Sequence, residues 1–276
     1  MGASQAAELQ SRCGLLRSLH KAGAPLLLPN AWDVATARAV VAAGFPVVAT
    51  TSGGVAGTLG YEDHEGAPGA EMLAAAGRIT RGVEVPVTVD AEAGYGMEPA
   101  ELVAALAGAG AAGCNLEDSD HAAGSLRDPH QHAEWLRAVR QAATKDGYGL
   151  VINARVDVFL APFFAGDPPE IQEELVPEAV RRANAYLEAG ADCVYPIALC
   201  EPGALRHFTS EVRGPVNVIR LPQTTSIAEL AALGVARISW ATLLYREAMA
   251  RFEADLASLD ERLAPAQSRA ALTTHD

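Results

Sequence analysis

Two short acidic segments stand out in this sequence, DAE at 90–92 and LED at 116–118. Each segment directly follows a run of apolar residues typical of a buried strand. Residues i and i+2 of an extended segment point to the same side, so Asp90 and Glu92 are expected to converge. Carboxylates that approach each other repel unless one is protonated or a cation bridges them. We therefore predict a divalent metal held by Asp90, Glu92 and Glu117.

Oxygen ligands with few His or Cys residues nearby indicate which cation this would be. Such a set suits Mg²⁺, with Mn²⁺ as the second choice, and Mg²⁺ usually keeps several of its waters. The alternative is that these acids cap the helices that follow, and this alternative weighs most for Asp118.

A glycine-rich segment begins at Ser52, Gly53 and Gly54, after the apolar run 46–50. A turn of this composition exposes backbone N–H groups and one hydroxyl, which together could hold a carboxylate or an oxyanion. A plain flexible loop is the alternative.

A cationic side chain, Arg155, follows the apolar run 149–154. At a strand end that faces an acidic site, its guanidinium could bind a substrate carboxylate through two hydrogen bonds. The alternative is a structural salt bridge to Asp157 or Glu117.

His64 and His121 lie in predicted loops nearby. Either could act as a general acid or base, or could simply be solvated.

The elements that would position these residues alternate regularly along the chain. Eight strand-like runs are separated by amphipathic helical patterns, and several of the helical patterns end in a glycine that suits a helix C-terminus. The predicted strands span 25–29, 46–50, 86–90, 113–117, 149–154, 192–196, 215–219 and 235–239. Eight parallel strands with intervening helices predict a (β/α)8 TIM barrel, whose active site lies at the carboxyl ends of the strands. An open doubly wound sheet is the alternative, although no GxGxxG motif is present.

A long helical segment at 240–263 follows the eighth strand, and it could pack on its own barrel or on a neighbouring subunit. The last residues, about 264–276, are predicted to form a frayed tail. Without an internal linker, residues 1–276 are expected to form a single barrel domain.

The bulk composition restricts the partners. The formal net charge is −13 and no cluster of Lys or Arg stands out, so we expect no nucleic-acid binding. No run of about 18 apolar residues is present, so no membrane span is expected, and the N-terminus lacks the apolar core of a signal peptide. The four cysteines form no CxxC pair, and Cys114 and Cys193 lie in strand-like runs as expected of buried free thiols. These features predict a cytoplasmic protein.

Several segments in this order resemble the isocitrate lyase/phosphoenolpyruvate mutase superfamily. The matching segments are PNAWDVATARAVVAAGFPVVATTSGGVAGTLGYEDHEG, VDAEAGYG, GCNLEDS and INARVD, within a stretch from about residue 26 to about 244. The resemblance implies a (β/α)8 barrel, Mg²⁺, a 2-oxo acid or its enolate, and a homotetramer, a dimer of dimers in which the last helix is swapped between subunits.

The resemblance also implies roles for individual residues. Asp90 would hold the metal directly, whereas Glu92 and Glu117 would act largely through metal-bound waters. Asp63 would lie near the reacting end of the substrate, and Arg155 near the reacting groups. The residues matched to substrate binding are Trp32, Ser52, Gly53, Gly54, Asp90, Arg155 and Asn217.

Departures from the superfamily pattern concern the acid/base residues. The lyases carry a Lys-Lys/Arg-Cys-Gly loop after strand four, whereas this chain has EDSDHAAGSL at 117–126, without Lys or Cys. The lyases' Glu after strand six has no counterpart in YPIA at 195–198, and the mutase's Lys and Asn of the gating loop are also missing. His121 or Ser119 would have to supply the missing acid.

These observations predict an Mg²⁺-dependent lyase that cleaves a C–C bond of a 2-oxo- or 2-hydroxycarboxylate through an enolate. One alternative is C–P bond chemistry of the phosphonopyruvate hydrolase or carboxyphosphonoenolpyruvate mutase kind. The other, motivated by the missing Lys and Cys, is a non-catalytic barrel that binds a 2-oxo acid.

Overall fold

A ring of parallel strands, surrounded by helices, forms the centre of this protein. The computed structural model describes the backbone of residues 2–271 and the side chains of residues 4–259. Its strands are β1 (Leu26–Leu28), β2 (Asn30–Ala31), β3 (Val48–Thr50), β4 (Val87–Asp90), β5 (Gly113–Glu117), β6 (Ser119–Asp120), β7 (Ser125–Leu126), β8 (Val151–Val156), β9 (Cys193–Pro196), β10 (Asn217–Ile219) and β11 (Arg237–Ser239).

The strand pairings follow one another around this ring. β2, β3, β4, β5, β8 and β9 pair side by side in one parallel sheet, and β1, β11 and β10 pair in a second. The two sheets meet at Pro29, which separates β1 from β2 because its nitrogen has no hydrogen to donate. They meet again at the parallel bridge between Val194 and Val216. The short pair β6–β7 is antiparallel and lies outside the ring.

Helices connect the strands and cover the outside of the ring. They are α1 (Ala3–Ser18), α2 (Val34–Ala42), α3 (Ser52–Leu59), α4 (Gly69–Arg81), α5 (Pro99–Ala109), α6 (Pro129–Lys145), α7 (Leu160–Ala165), α8 (Ile171–Glu188), α9 (Pro202–Glu211), α10 (Ile227–Ala232) and α11 (Leu243–Ala271). Local signals set many of their ends. The side chain of Asp33 accepts a hydrogen bond from the Thr36 N–H at the start of α2, and Gly110 adopts φ 76° at the end of α5.

An observed strand overlaps each of the eight predicted ranges, and β1 lies within the first of them, whereas β2 follows that range. The parallel α/β fold class is confirmed by these pairings. The segment at Ser52–Gly54 differs from the predicted loop, because these residues form the first turn of α3. α11 is helical to Ala271, so part of the predicted tail continues this helix, and residues 272–276 lie outside the described part.

The interior of the ring contains polar side chains as well as apolar ones. Arg237 of β11 is 1% exposed and donates a hydrogen bond from Nη2 to Asn115 Oδ1 at 3.0 Å. Asn153 Nδ2 donates to the same oxygen at 2.8 Å. These bonds link β5, β8 and β11 across the barrel, directly below the strand ends.

The cysteines and the helices can also be compared with the sequence predictions of free thiols and of no membrane span. Cys13, Cys114, Cys193 and Cys200 are buried and free, which confirms the thiols predicted for Cys114 and Cys193. Within the described residues, no helix has both the length and the apolar character needed to cross a membrane.

Candidate active site

Several of the predicted polar residues line a cavity of about 160 Å³ at the carboxyl ends of the strands, whereas Glu92, Glu117 and His121 are not among its lining residues in the described part of the chain. The parallel register places Glu117 of β5 beside Arg155 of β8, and Asp90 of β4 beside Asn115 of β5. Side chains distant in sequence therefore meet at one edge of the barrel. Ser52, Asp63, His64, Asp90 and Arg155 line the cavity.

Asp90 is half-buried at the end of β4. Its Oδ2 accepts a hydrogen bond from the Ser52 N–H at 3.1 Å, and its Oδ1 accepts one from Asn115 Nδ2 at 3.4 Å. Its own N–H donates to Thr50 Oγ1 at 2.8 Å. The neighbouring strands therefore hold this carboxylate in place at the floor of the cavity.

Arg155 is 7% exposed and lies between two carboxylates. Its Nη2 is 2.5 Å from Glu117 Oε2, and its Nε and Nη2 donate to the two oxygens of Asp157 at 2.6 and 2.7 Å. The salt bridges considered from the sequence are thus both present, and Arg155 faces the cavity as well. The Ser119 hydroxyl, one of the two candidates for the missing general acid, donates to Asp157 Oδ2 at 2.5 Å.

Glu117 and His121 form a second close pair. His121 Nε2 is 2.5 Å from Glu117 Oε1, and this hydrogen bond raises the pKa of His121 above its ordinary value. Burial raises the pKa of Glu117, whereas the positive charge of Arg155 opposes that shift. The hydrogen bond from His121 to Glu117 therefore favours the protonated form of the imidazole. His64 lines the cavity, and its ring centroid is 5.3 Å from that of His121.

The backbone conformation that positions Glu92 near the other acids differs from the predicted one. The extended geometry assumed for residues 90–92 is wrong, because Glu92 adopts φ 47° in a turn after β4. Its Oε2 accepts the Glu65 N–H at 2.5 Å. Burial, opposed by that hydrogen bond and reinforced by the charges of Asp90, Asp63 and Glu117, raises the pKa of Glu92 to about 8. Repulsion among these acids is the condition that a cation would relieve.

Close packing explains the glycines of α3. A Cβ on Gly53 would lie 2.6 Å from Asp63 Oδ2, and a Cβ on Gly54 would lie 3.0 Å from the Cβ of Trp32. Residues without side chains let the start of this helix approach the cavity wall. The Ser52 N–H already donates to Asp90, so the N–H groups of Gly53 and Gly54, together with the helix dipole, are the groups that favour an anion there.

Asp63 and its neighbours lie at the side of the cavity next to α3. Its Oδ1 is buried without a hydrogen-bond partner among the described residues. A buried carboxylate oxygen without a partner is costly, and bound ligands commonly supply such partners at functional sites.

Unfavourable backbone angles are concentrated around this site. In the described chain, six non-glycine residues have φ between 47° and 66°: His64, Glu65, Glu92, Tyr95, Ala198 and Ala241. Three of them line the cavity, and Glu65 joins the other two by accepting the Tyr95 N–H and donating its own N–H to Glu92. Strained residues persist where the surrounding structure holds them, and they often mark functional sites.

Within the described part of the chain, Trp32 and Asn217 are not among the residues that line the cavity. Trp32 packs edge-on against Tyr245 of α11, with ring centroids 5.3 Å apart. Asn217 is fully buried in the barrel, where its Nδ2 donates to Ser239 Oγ at 3.3 Å. Their predicted contact with substrate stays a prediction.

The donor set fits a hydrated cation better than a fully enclosed one. Within the described residues, no three His, Cys, Asp or Glu side chains form a ready-made metal group. Both oxygens of Glu117 are already engaged, by His121 and Arg155. Asp90 faces the cavity, and one or two carboxylates with several waters satisfy Mg²⁺. Asp90 is therefore the residue that would hold Mg²⁺, and the acids around it fit a hydrated cation.

Sequence reasoning missed several contributors to the site. The sequence offers Asp157 as a salt-bridge partner of Arg155, but it does not indicate that both carboxylate oxygens accept hydrogen bonds from the guanidinium. Glu65 organises the turn that carries Glu92. Phe163 of α7 and Leu243 at the start of α11 also line the cavity. The ARVD segment carried a signal for Asp157, because residues i and i+2 of a strand share a face.

A parallel α/β barrel with acids and an arginine at the carboxyl ends of its strands defines the general class of this protein. The sequence pattern described as phosphoenolpyruvate phosphomutase matches residues 16–259. The chain therefore belongs to the phosphoenolpyruvate mutase family, within the isocitrate lyase/phosphoenolpyruvate mutase superfamily, and the resemblance noted from the motifs is confirmed.

Relatives with curated names include both mutases and lyases. An uncharacterized protein of Mycobacterium tuberculosis is 37% identical over 82% of this chain and 81% of its own length. The phosphoenolpyruvate phosphomutase of Streptomyces hygroscopicus is 32% identical over 87% of this chain and 78% of its own. "Probable 2-methylisocitrate lyase 1" of Corynebacterium glutamicum is 29% identical over 85% and 77%. Membership among such relatives supports an enzyme.

A solved structure gives the same result for the fold. A protein of Burkholderia cenocepacia J2315, described as a candidate phosphonomutase, has a TM-score of 0.82 and 42% sequence identity. The match covers 90% of this chain and 99% of that one. The two chains therefore share their fold over nearly their full lengths.

Proposed function

We propose that this chain is an Mg²⁺-dependent lyase that cleaves a C–C bond of a 2-oxo- or 2-hydroxycarboxylate through an enolate. The observation that carries the proposal is the position of Arg155. Its guanidinium is held by Glu117 and Asp157 and faces the same cavity as Asp90 and the start of α3. An anion bound in this cavity would have the guanidinium of Arg155 on one side and the positive end of the α3 dipole on the other.

Substrate binding would use the first turn of α3 and Arg155. Ser52, Gly53 and Gly54 form a helix N-terminus, which favours a carboxylate, and the N–H groups of Gly53 and Gly54 would bind it while the Ser52 N–H donates to Asp90. Arg155 would neutralise the oxygen on which negative charge develops during cleavage. Mg²⁺, held on Asp90, would polarise the oxygens of the substrate.

The bond cleavage requires one base and one acid. In a 2-hydroxy acid whose third carbon carries a carboxylate, a base removes the hydroxyl proton and the oxygen forms a carbonyl as the C–C bond breaks. The electrons of that bond pass to the third carbon and its carboxylate as an enolate. Asp63, with its unpartnered buried oxygen at the cavity wall, is the base in this proposal. His121, kept protonated by Glu117, returns a proton to the enolate.

C–P bond chemistry is the second candidate, and the names of the relatives favour it. The curated mutase and the solved candidate phosphonomutase are both similar to this chain over most of its length. The same Arg155 and helix start would stabilise the enolate of a phosphonate substrate.

One set of assays distinguishes these reactions. Purified protein with Mg²⁺ is offered oxaloacetate, 2-methylisocitrate, isocitrate and phosphonopyruvate, and the release of pyruvate, glyoxylate and phosphate is measured. Pyruvate or glyoxylate without phosphate supports the lyase, whereas phosphate from phosphonopyruvate supports C–P cleavage. Tight binding of a 2-oxo acid without turnover of any substrate would support the non-catalytic alternative.

An Asp90→Ala variant tests the metal assignment. We expect its activity to fall by about 100-fold or more, because the carboxylate that holds the cation is lost. An Asp146→Ala variant is the control, since this acid is exposed at the end of α6. Undiminished activity of Asp90→Ala would refute the metal assignment.

The proposed enzyme would act as a homotetramer in the cytoplasm. The described part of α11 has exposed apolar side chains that another subunit could cover. The cytoplasmic location rests on the free thiols and stays a prediction.

A further inference from the structure

Asp118 follows β5 directly, and the proposed reaction assigns no role to it. Its side chain is fully buried. The sequence suggests a helix cap for this acid, but the side chain of Asp128 caps the helix that follows, α6. A carboxylate enclosed in this way needs hydrogen-bond donors for its oxygens. The donors that Asp118 has therefore indicate what it does.

The two oxygens of Asp118 bind different parts of the barrel. Oδ1 accepts the backbone N–H of Asp157 at 2.9 Å. Oδ2 accepts the Tyr186 hydroxyl at 2.7 Å and Arg182 Nη1 at 3.0 Å, and both of these buried residues belong to α8. Asp118 therefore ties the segment after β8 to the helix α8.

Asp157 connects this anchor to the cavity. Asp118 holds Asp157 by its backbone, and the two carboxylate oxygens of Asp157 accept Arg155 Nε at 2.6 Å and Arg155 Nη2 at 2.7 Å. A continuous series of hydrogen bonds thus runs from α8 through Asp118 and Asp157 to the guanidinium that faces the cavity. If the backbone of Asp157 moved, its carboxylate and the guanidinium of Arg155 would move with it.

Asp118 also fixes the loop that carries His121. Its carbonyl oxygen accepts the Arg127 N–H at 2.8 Å, and these two residues flank the β6–β7 hairpin. Arg182 Nη1 donates to the Arg127 carbonyl oxygen at 3.0 Å as well. The base of this loop and the support of Arg155 therefore depend on the same buried pair, Asp118 and Arg182.

Asp192 makes a similar set of contacts at the opposite end of β8. Its Oδ2 accepts the Ile152 N–H at 2.9 Å and Arg140 Nη2 at 2.6 Å, and its Oδ1 accepts Arg17 Nε at 2.8 Å. Ile152 lies near the beginning of β8, whereas the cavity lies at the carboxyl ends of the strands. Both acids link one strand to arginines, but Asp118 does so at the end beside the cavity.

We propose that Asp118 is a positioning residue of the reaction. Held by α8, it fixes Asp157 and thereby the direction of the Arg155 guanidinium. A misdirected guanidinium neutralises less of the charge that develops in the transition state, whereas the start of α3 still binds the carboxylate head. This inference rests on the function proposed above, and it holds for cleavage of a C–C or a C–P bond because both use Arg155.

Steady-state kinetics of an Asp118→Ala variant test the proposal, with Mg²⁺ and an acid from the assay set that the native chain turns over. We expect kcat to fall by about 10- to 100-fold and KM to change less than about threefold, because the lost stabilisation belongs to the transition state. If Asp118→Ala does not fold, Tyr186→Phe serves instead. It removes one hydrogen bond to Asp118 and should lower kcat by about threefold at unchanged KM.

Two control variants change similar contacts away from the cavity. Asp192→Ala removes the acid that holds the beginning of β8, and it should keep the native kcat at a temperature well below its unfolding transition. Glu178→Gln changes the other carboxylate bound to Arg182, whose Nε donates to Glu178 Oε1 at 2.7 Å. It should keep the native kcat as well, because it does not contact Asp118.

A double-mutant cycle separates positioning from stability. An Arg155→Lys background has no guanidinium to direct, so adding Asp118→Ala there should change kcat by less than about twofold. An effect as large as in the native background would show that Asp118 only stabilises the fold, and would overturn the inference.

The failure of this inference differs from the failure of the proposed function. Native kcat in Asp118→Ala would overturn the role of Asp118 and leave the proposed function intact. If the native chain turns over none of the assayed acids, the proposed function fails, and the role of Asp118 fails with it.

Discussion

Arg155 has both of the roles that the sequence left open. It forms buried salt bridges with Glu117 and Asp157, and its guanidinium also faces the cavity. A buried arginine keeps its charge when carboxylates compensate it, and here they raise the pKa of Arg155 further. The two acids therefore orient the group that the proposed reaction needs.

Replacing Asp157 with Asn tests this orientation. We expect the free energy of unfolding to fall by about 3 kcal/mol, because the buried Arg155 loses one of its two counter-charges. Urea denaturation measures the change. Glu188→Gln is the control, because it breaks an exposed pair with Arg213 and should cost less than about 0.5 kcal/mol. Equal effects of the two variants would contradict the role of Asp157.

His132 predicts how stability depends on pH. Burial lowers the pKa of this side chain to about 3, and both ring nitrogens lack partners among the described residues. The unfolded chain takes up the proton near pH 6.5, whereas the folded chain does not. The contribution of His132 to the free energy of unfolding is therefore fully present above pH 6.5 and is lost as the pH falls toward 3.

The variant His132→Gln should lessen this loss. Between pH 6.5 and pH 5 the histidine contributes about 1.5 kcal/mol to the decrease in stability, and the variant should lack that part. Urea titrations at several pH values measure it. His130→Gln, an exposed neighbour, should retain the native pH dependence. An unchanged pH dependence in His132→Gln would show that this histidine titrates normally in the fold.

At the scale of elements, α3 shows how packing overrides local preference. Its first residues, Ser52-Gly53-Gly54, favour a loop because glycine weakens helices. The helix forms nevertheless, because Gly53 and Gly54 fit against Asp63 and Trp32, where a side chain would collide. This arrangement directs the helix N-terminus toward the cavity.

A Gly53→Ala variant separates site geometry from helix stability. The new Cβ would lie 2.6 Å from Asp63 Oδ2, so the carboxylate must move and activity should fall about 10-fold or more. The protein should still fold, because the end of a side chain can shift. Gly14→Ala, where nothing lies within 4 Å in α1, should instead stabilise by about 0.5–1 kcal/mol. Thermal unfolding and activity assays measure both variants, and full activity of Gly53→Ala would contradict the role of Asp63.

At the scale of the whole molecule, the long C-terminal helix α11 exposes apolar side chains to solvent. Met249, Phe252, Leu256 and Leu259 are between 39% and 55% exposed along its described side chains. Their spacing of three and four residues places them on one face. Such a face is expected to be covered by another subunit in the proposed homotetramer.

A Phe252→Glu variant tests the assembly. A charge in the middle of this face should dissociate the tetramer into smaller species, measured by light scattering after size-exclusion chromatography. Leu15→Glu, an exposed leucine of α1 that is 47% exposed, should leave the assembly intact. A native protein that is already monomeric would contradict the predicted homotetramer.

The sequence by itself determined the strands and the residues at their ends. Apolar runs and helix-ending glycines are local signals, so β4, β5 and β8 with Asp90, Glu117 and Arg155 could be predicted. The motifs around them were sufficient for the family as well.

Only the tertiary structure decided how these side chains meet. The left-handed turn at Glu92, the pair of Glu117 with His121, and the helical start of α3 depend on neighbours that are distant along the chain. The apolar side of the cavity could not be predicted either, because its side chains come from separate loops and helices. Local sequence determines which elements form, whereas contacts between elements determine what their side chains touch.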